Sequence, residues 1–105
     1  MKIADDVSDC IGFEWDSGNK NKNLKKHKVS DNECEQVFFN QPFICEFDQV
    51  HSDNEPRFYA LGKTDSDRRL FLVYTVRNQL IRVISAREMN RNEKKYYDIS
   101  QGVKE

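Results

Sequence analysis

The sequence predicts an α+β domain: a short N-terminal strand, two helices, a four-stranded antiparallel sheet and a C-terminal helix. Three observations lead there. Apolar runs recur between residues 43 and 86, joined by short polar turns. A capping box, Ser30 to Glu33, opens a helical stripe of Cys34, Val37 and Phe38. A second cap pair, Asn90 to Glu93, precedes Tyr96 and Tyr97.

In chain order, residues 1–10 are acidic and aperiodic and read as a loose extension. One domain then spans 11–105. Ile11-Gly12-Phe13-Glu14-Trp15 alternates apolar with small or charged residues, as a short edge strand does. Asp16 or Ser17 is placed to cap a helix over 17–27, in which only Leu24 is clearly apolar. Lys25, Lys26 and His27 fall in its last turn, where cations suit the negative end of the helix dipole. A second helix over 31–39 is stapled by Val29 and Cys34, and Asn40-Gln41-Pro42 ends it. Strands are expected over 43–47, 57–62, 69–76 and 80–86, the last two joined by the tight turn Arg77-Asn78-Gln79. Those two strands are apolar on both faces, so they belong mid-sheet with cover on each side. A final helix over 91–98 carries Tyr96 and Tyr97.

The composition is polar but not that of a disordered chain. Charged residues make up 33%, yet 7 Phe and 4 Tyr supply one modest core. No apolar run approaches the roughly 20 residues that span a bilayer, and the N-terminus has no apolar signal region. A cytoplasmic protein without membrane contact is expected. Cys10, Cys34 and Cys45 are odd in number, without C-x-x-C spacing, and read as reduced thiols. His27 and His51 add no ligand spacing, so neither a metal nor a cofactor is expected. The phosphate-binding and dinucleotide-binding glycine loops are also missing.

Charge is strongly segregated beneath a net of −1. Residues 1–19 sum to −4, 20–28 to +5, 29–56 to −7, 57–95 to +6 and 96–105 to −1. A balance near neutrality argues against a protein that coats nucleic acid, and permits a local basic site.

The residues that could carry chemistry are Arg57, Arg77, Arg82 and Arg87, with His27, His51, Tyr74, Tyr96 and Tyr97. Arginine beside a strand offers a planar, permanently charged fork suited to phosphate. RNA cleavage by its own 2′-hydroxyl needs a base, a cation for the phosphorane and a proton for the leaving oxygen. The bland alternative is a set of arginines that decorate a sheet. Arg82 and Arg87 are an odd number apart and point to opposite faces unless a bulge or the strand end intervenes. His27 is either a dipole partner closing a helix or a proton-transfer group.

An ordered set of segments then resembles the BrnT family of bacterial toxins, RelE-like ribonucleases of type II toxin–antitoxin systems. The segments are Phe13-Glu14-Trp15-Asp16, Asn23, Lys26-His27, Val29-Ser30, His51-Ser52, Glu55, Arg57 and Gly62. Val73-Tyr74-Thr75, 81–87, Glu93 and Tyr97 complete it, over about 11–98. The resemblance implies a metal-independent endoribonuclease that cleaves messenger RNA. Arg57 and Arg87 would hold the scissile phosphate, Lys20 or Lys22 would assist, and His27 or Tyr97 would move protons. Lys22, Lys26, Arg77 and Arg82 would bind RNA. It also implies a ribbon-helix-helix antitoxin, through which any DNA contact would come. The apolar strands around Tyr74 and Ile84 suggest a groove for an antitoxin helix. One position departs: Asn19 stands where the family usually has a lysine held to act in cleavage. That departure raises an alternative, a catalytically weak interaction module serving operon repression with its antitoxin.

Overall fold

A computed structural model of the protein describes residues 9–50 and 55–100. The expected extension over 1–10 lies outside them save for Asp9 and Cys10, and so do His51 and Ser52. The elements run β1 (Gly12–Phe13), α1 (Lys22–His27), α2 (Asp31–Val37), β2 (Ile44–Phe47), β3 (Arg57–Lys63), β4 (Arg69–Arg77), β5 (Leu80–Glu88) and α3 (Arg91–Ser100). The α+β order is as expected. The sheet is not the expected four-stranded antiparallel one. It has five strands in the order β1-β5-β4-β3-β2, and β1 joins β5 in parallel, Gly12 opposite Leu80 and Phe13 opposite Ile81. The sheet is therefore mixed, with β1 and β2 at its edges. A strand this short takes its direction from a partner far along the chain, which local alternation does not report.

The meander itself follows from the sequence. β4 and β5 are joined by Asn78 and Gln79, both at positive φ (52° and 64°), the backbone of a two-residue hairpin turn. β3 and β4 pair from Arg57 with Thr75 to Lys63 with Arg69. α2 begins with the expected box: the Ser30 hydroxyl accepts from the Glu33 N–H at 3.1 Å, and Glu33 accepts from the Ser30 N–H at 3.0 Å. Val29, Cys34, Val37 and Phe38 are all buried against Leu70, Leu72, Tyr74, Ile81, Val83 and Ala86, which form the core on one face of the sheet. Phe38 meets Tyr74 edge-on at 5.1 Å, and Phe58 stacks on Tyr74 at 5.3 Å. Tyr74 is thus core, and the groove expected beside it is filled by Phe38 and Phe43. Burial pushes the Cys34 thiol up to about 12, with Asp31, Glu33 and Glu35 adding to it.

α1 is shorter than expected. Residues 17–21 form turns and the helix starts at Lys22. The Asp16 carboxylate accepts from the Gly18 N–H at 2.8 Å, and the Asn19 side-chain oxygen accepts from the Asp16 N–H at 2.9 Å. Such side-chain bonds to nearby backbone compete with a helix. α1 buries Asn23 rather than Leu24, which is 44% exposed.

α3 lies on the opposite face of the sheet from α2. Its Glu93 binds Arg87, its Asp98 binds Arg69, and Tyr96 stands over Ile44, Tyr59 and Leu61. It covers the half of that face near the β3–β4 turn. The half near the β4–β5 turn has no helix over it among the described elements. None of the described helices is long and apolar enough to cross a membrane.

Candidate functional site

Strand register decides which arginines share a face. Arg57 is opposite Thr75 on β4, and Thr75 is opposite Arg82 on β5. The three residues form one row across adjacent strands, on the face away from the core. Arg77 lies two positions along β4 and shares that face. The Arg57 and Arg82 backbones stand two strands apart, about 10 Å.

Arg87 reaches the same face only because β5 carries a bulge. The pairing steps from Val73 opposite Ser85 to Tyr74 opposite Val83, so Ile84 is extra. Burial follows the step: Ile81, Val83 and then Ala86 face the core. The side chains of Arg82 and Arg87 therefore emerge on one side despite their odd spacing. Two asparagines hold the bulged segment from the strand's free edge. Asn19 donates to the Val83 and Glu14 carbonyls, each at 3.1 Å, and Asn23 accepts from the Ala86 N–H at 3.0 Å. Asn19 is 3% exposed and Asn23 1%.

Arg87 is nevertheless apart from the row. It pairs with Phe71, four residues along β4 from Thr75, or about 13 Å. Glu93 grips its guanidinium at 2.8 and 3.0 Å, and the group lies 4.3 Å above the Phe71 ring. Arg57 and Arg87 are not brought to one point. Tyr97 is fully buried, and its hydroxyl donates to the Pro42 carbonyl. Burial pushes that phenol up to about 12. His27 closes α1 at the far end of β5, where the next residue, Lys28, gives its carbonyl to Arg68 at 2.7 Å. Lys26 lies in that same last turn, whereas Lys22 opens α1 and Lys20 lies in the turn before it.

The row itself is lined with carboxylates. Arg82 donates to Asp16 at 2.8 Å and stands 4.0 Å from Glu14. A Cβ placed on Gly18 would lie 3.0 Å from the Arg82 guanidinium, so the 16–20 turn abuts this side chain and brings Lys20 with it. Arg77 grips Glu55 with Nε at 2.9 Å and a terminal nitrogen at 3.1 Å. That bond holds the Glu55 carboxyl below its usual range, and the charges of Arg82 and Arg57 add to the shift. Asp16 is held low mainly by its bond from Arg82. The Thr75 hydroxyl donates to the Pro56 carbonyl and fixes the chain that leads into Arg57. In the sequence Glu14, Asp16, Asn23 and Glu55 stand only as parts of the family pattern and Asn19 as a departure from it, and nothing local ties them to the arginines. Glu14, Asp16 and Glu55 lie at least 22 residues from their arginines, and only the fold brings them there. Among the described residues no cluster of three His, Cys, Asp or Glu is placed to hold a metal ion.

A family model described as the ribonuclease toxin BrnT of type II toxin–antitoxin systems matches residues 15–93. No curated protein matches the chain. The matched span begins at Trp15, beside the turn that holds Arg82, and ends at Glu93, the partner of Arg87. The chain thus belongs to the BrnT family of ribonuclease toxins of type II toxin–antitoxin systems.

Proposed function

We propose that this toxin is a metal-independent endoribonuclease of messenger RNA, and that the row of Arg57, Arg77 and Arg82 holds the scissile phosphodiester. The observation that carries the reading is the register that sets Arg57, Thr75 and Arg82 side by side with Arg77 next to them. Guanidinium groups at such spacing can contact both non-bridging oxygens and stabilise charge as the 2′-hydroxyl attacks phosphorus. The bond to the 5′-oxygen breaks, and a 2′,3′-cyclic phosphate and a 5′-hydroxyl result. Lys20, in the turn before α1, and Lys22, at its start, extend the cationic edge along the RNA, and Lys26 continues it. His27, Arg87 and Tyr97 sit outside this row, beyond hydrogen-bond reach of the oxygens of a phosphodiester held there, so none of them moves its protons. Purified protein should cut RNA in excess EDTA, leave cyclic phosphate termini, and fail on a strand lacking the 2′-hydroxyl. Cleavage lost in EDTA, or products with 3′-hydroxyl ends, would overturn this reading.

As a type II toxin the protein acts with an antitoxin. A ribbon-helix-helix antitoxin is the proposed partner, with DNA reached only through it. One observation favours a weaker catalyst that serves mainly in that complex: the Asn19 side chain is spent on three backbone bonds where the family has a lysine. A sharp rise in cleavage by Asn19→Lys would support this second reading, and no rise in an Asn19→Lys protein that melts at the parent's temperature would weaken it.

A further inference from the structure

Among the described residues the arginine row is lined with counter-charges: Arg77 meets Glu55, Arg82 meets Asp16 with Glu14 at 4.0 Å, and the charge of Arg57 reaches the Glu55 carboxyl. The carboxylates are not equivalent. Asp16 also accepts from the Gly18 N–H, and its carbonyl accepts from Asn19 and Lys20, so it belongs to the turn. Glu55 has another geometry. Both its oxygens meet Arg77 side-on, one on Nε at 2.9 Å and the other on a terminal nitrogen at 3.1 Å. It precedes Pro56, which Thr75 pins, and its side chain is 38% exposed.

We infer that Glu55 is an internal competitor for phosphate: its carboxylate fills the guanidinium fork of Arg77, and RNA takes that fork by displacing it. This rests on the reading that the row binds RNA. A carboxylate and the two non-bridging oxygens of a phosphodiester fit the fork in the same bidentate way and carry the same single charge. The exchange therefore leaves the charge at Arg77 unchanged and sends Glu55 into solvent, which its exposure allows. A role for Glu55 as the general base fits less well. Arg77 engages both oxygens and holds the carboxyl low, which weakens it as a proton acceptor. The device keeps the resting toxin's hold on RNA modest while leaving every arginine in place.

The test measures affinity for a fluorescent 2′-O-methyl oligonucleotide, which has no nucleophile, by anisotropy at about 0.15 M salt. Glu55→Gln should bind about two- to fivefold more tightly, the size of an exposed ion pair. Glu35→Gln, on α2 across the sheet, makes the same change in net charge and should alter affinity by less than about 1.5-fold. Arg77→Gln should bind more weakly, and Glu55→Gln should add nothing in that background. The inference is overturned if Glu55→Gln binds no tighter than Glu35→Gln, or gains equally without Arg77. It is also overturned if Glu55→Gln abolishes cleavage of ordinary RNA without tightening binding, which would make Glu55 the base. If Arg57→Gln, Arg77→Gln and Arg82→Gln all leave affinity unchanged, the RNA site itself is elsewhere, and the inference falls with it.

Discussion

Asn19 shows how much one side chain can hold. It accepts from Asp16, donates to Glu14 and reaches Val83 across 64 positions of chain. Those bonds fasten the turn beside Arg82 to the bulged strand that carries Arg82. Removing the amide leaves buried backbone groups unsatisfied, which costs about 1–3 kcal/mol. Asn19→Ala should therefore lose stability of that order in urea denaturation, and cleavage should fall with it as the turn loosens. An Asn19→Ala protein as stable as the parent would show that the strut is idle. From the sequence, Asn19 reads as a gap in the family pattern, because its partner Val83 is visible only once the chain has folded.

At the scale of elements, local signals were legible and distant ones were not. The box at Ser30 and Glu33, the stripe of Cys34, Val37 and Phe38, and the two-residue turn at Asn78 and Gln79 all depend on neighbours within a few positions. Each is written in a few adjacent residues of the sequence. The short α1, the parallel direction of β1 and the position of the bulge at Ile84 depend on contacts between distant segments, and the sequence offers the bulge only as one of two alternatives. Gly62 belongs to the second group. It lies where α2 presses on β3, and a Cβ there would run into the Val37 side chain. Gly62→Ala should destabilise by about 1–3 kcal/mol, as overpacking does. The melting temperature checks this, and an unchanged value would mean that α2 shifts freely over the sheet.

Over the whole molecule, the fold brings the basic 57–95 block onto the acidic ones through Arg68 with Glu33, Arg77 with Glu55 and Arg82 with Asp16, and adds pairs within and beside that block. Arg68 bridges Glu33 and Glu88, Arg69 meets Asp98, and Arg87 meets Glu93. These pairs tie α2 and α3 to the sheet. The bond from Arg87 holds the Glu93 carboxyl below its usual range. Burial pushes Glu33 up, but the bonds from Ser30 and Arg68 bring it below that range on balance. A carboxyl held low in the folded state favours folding above its unfolded pKa, and that contribution fades as pH falls through the folded value. The melting temperature should thus fall between pH 7 and about pH 3, less steeply in Glu93→Gln. A melting temperature independent of pH over that window would contradict the role given to these pairs.

The arginines were visible in the sequence as candidates, but their grouping was not, because register and the bulge set it. The central claim is that Arg57, Arg77 and Arg82 form the site and that Arg87 supports the fold. The most direct measurement is the cleavage rate of one defined RNA in EDTA by Arg82→Gln and Arg87→Gln, with the melting temperature of each. Arg82→Gln should lose about 10²-fold in rate, as loss of a transition-state donor does, at a temperature where it remains folded. Arg87→Gln should lose stability first and retain most of its rate while folded. A folded Arg87→Gln that no longer cuts, beside an Arg82→Gln that cuts normally, would contradict the account.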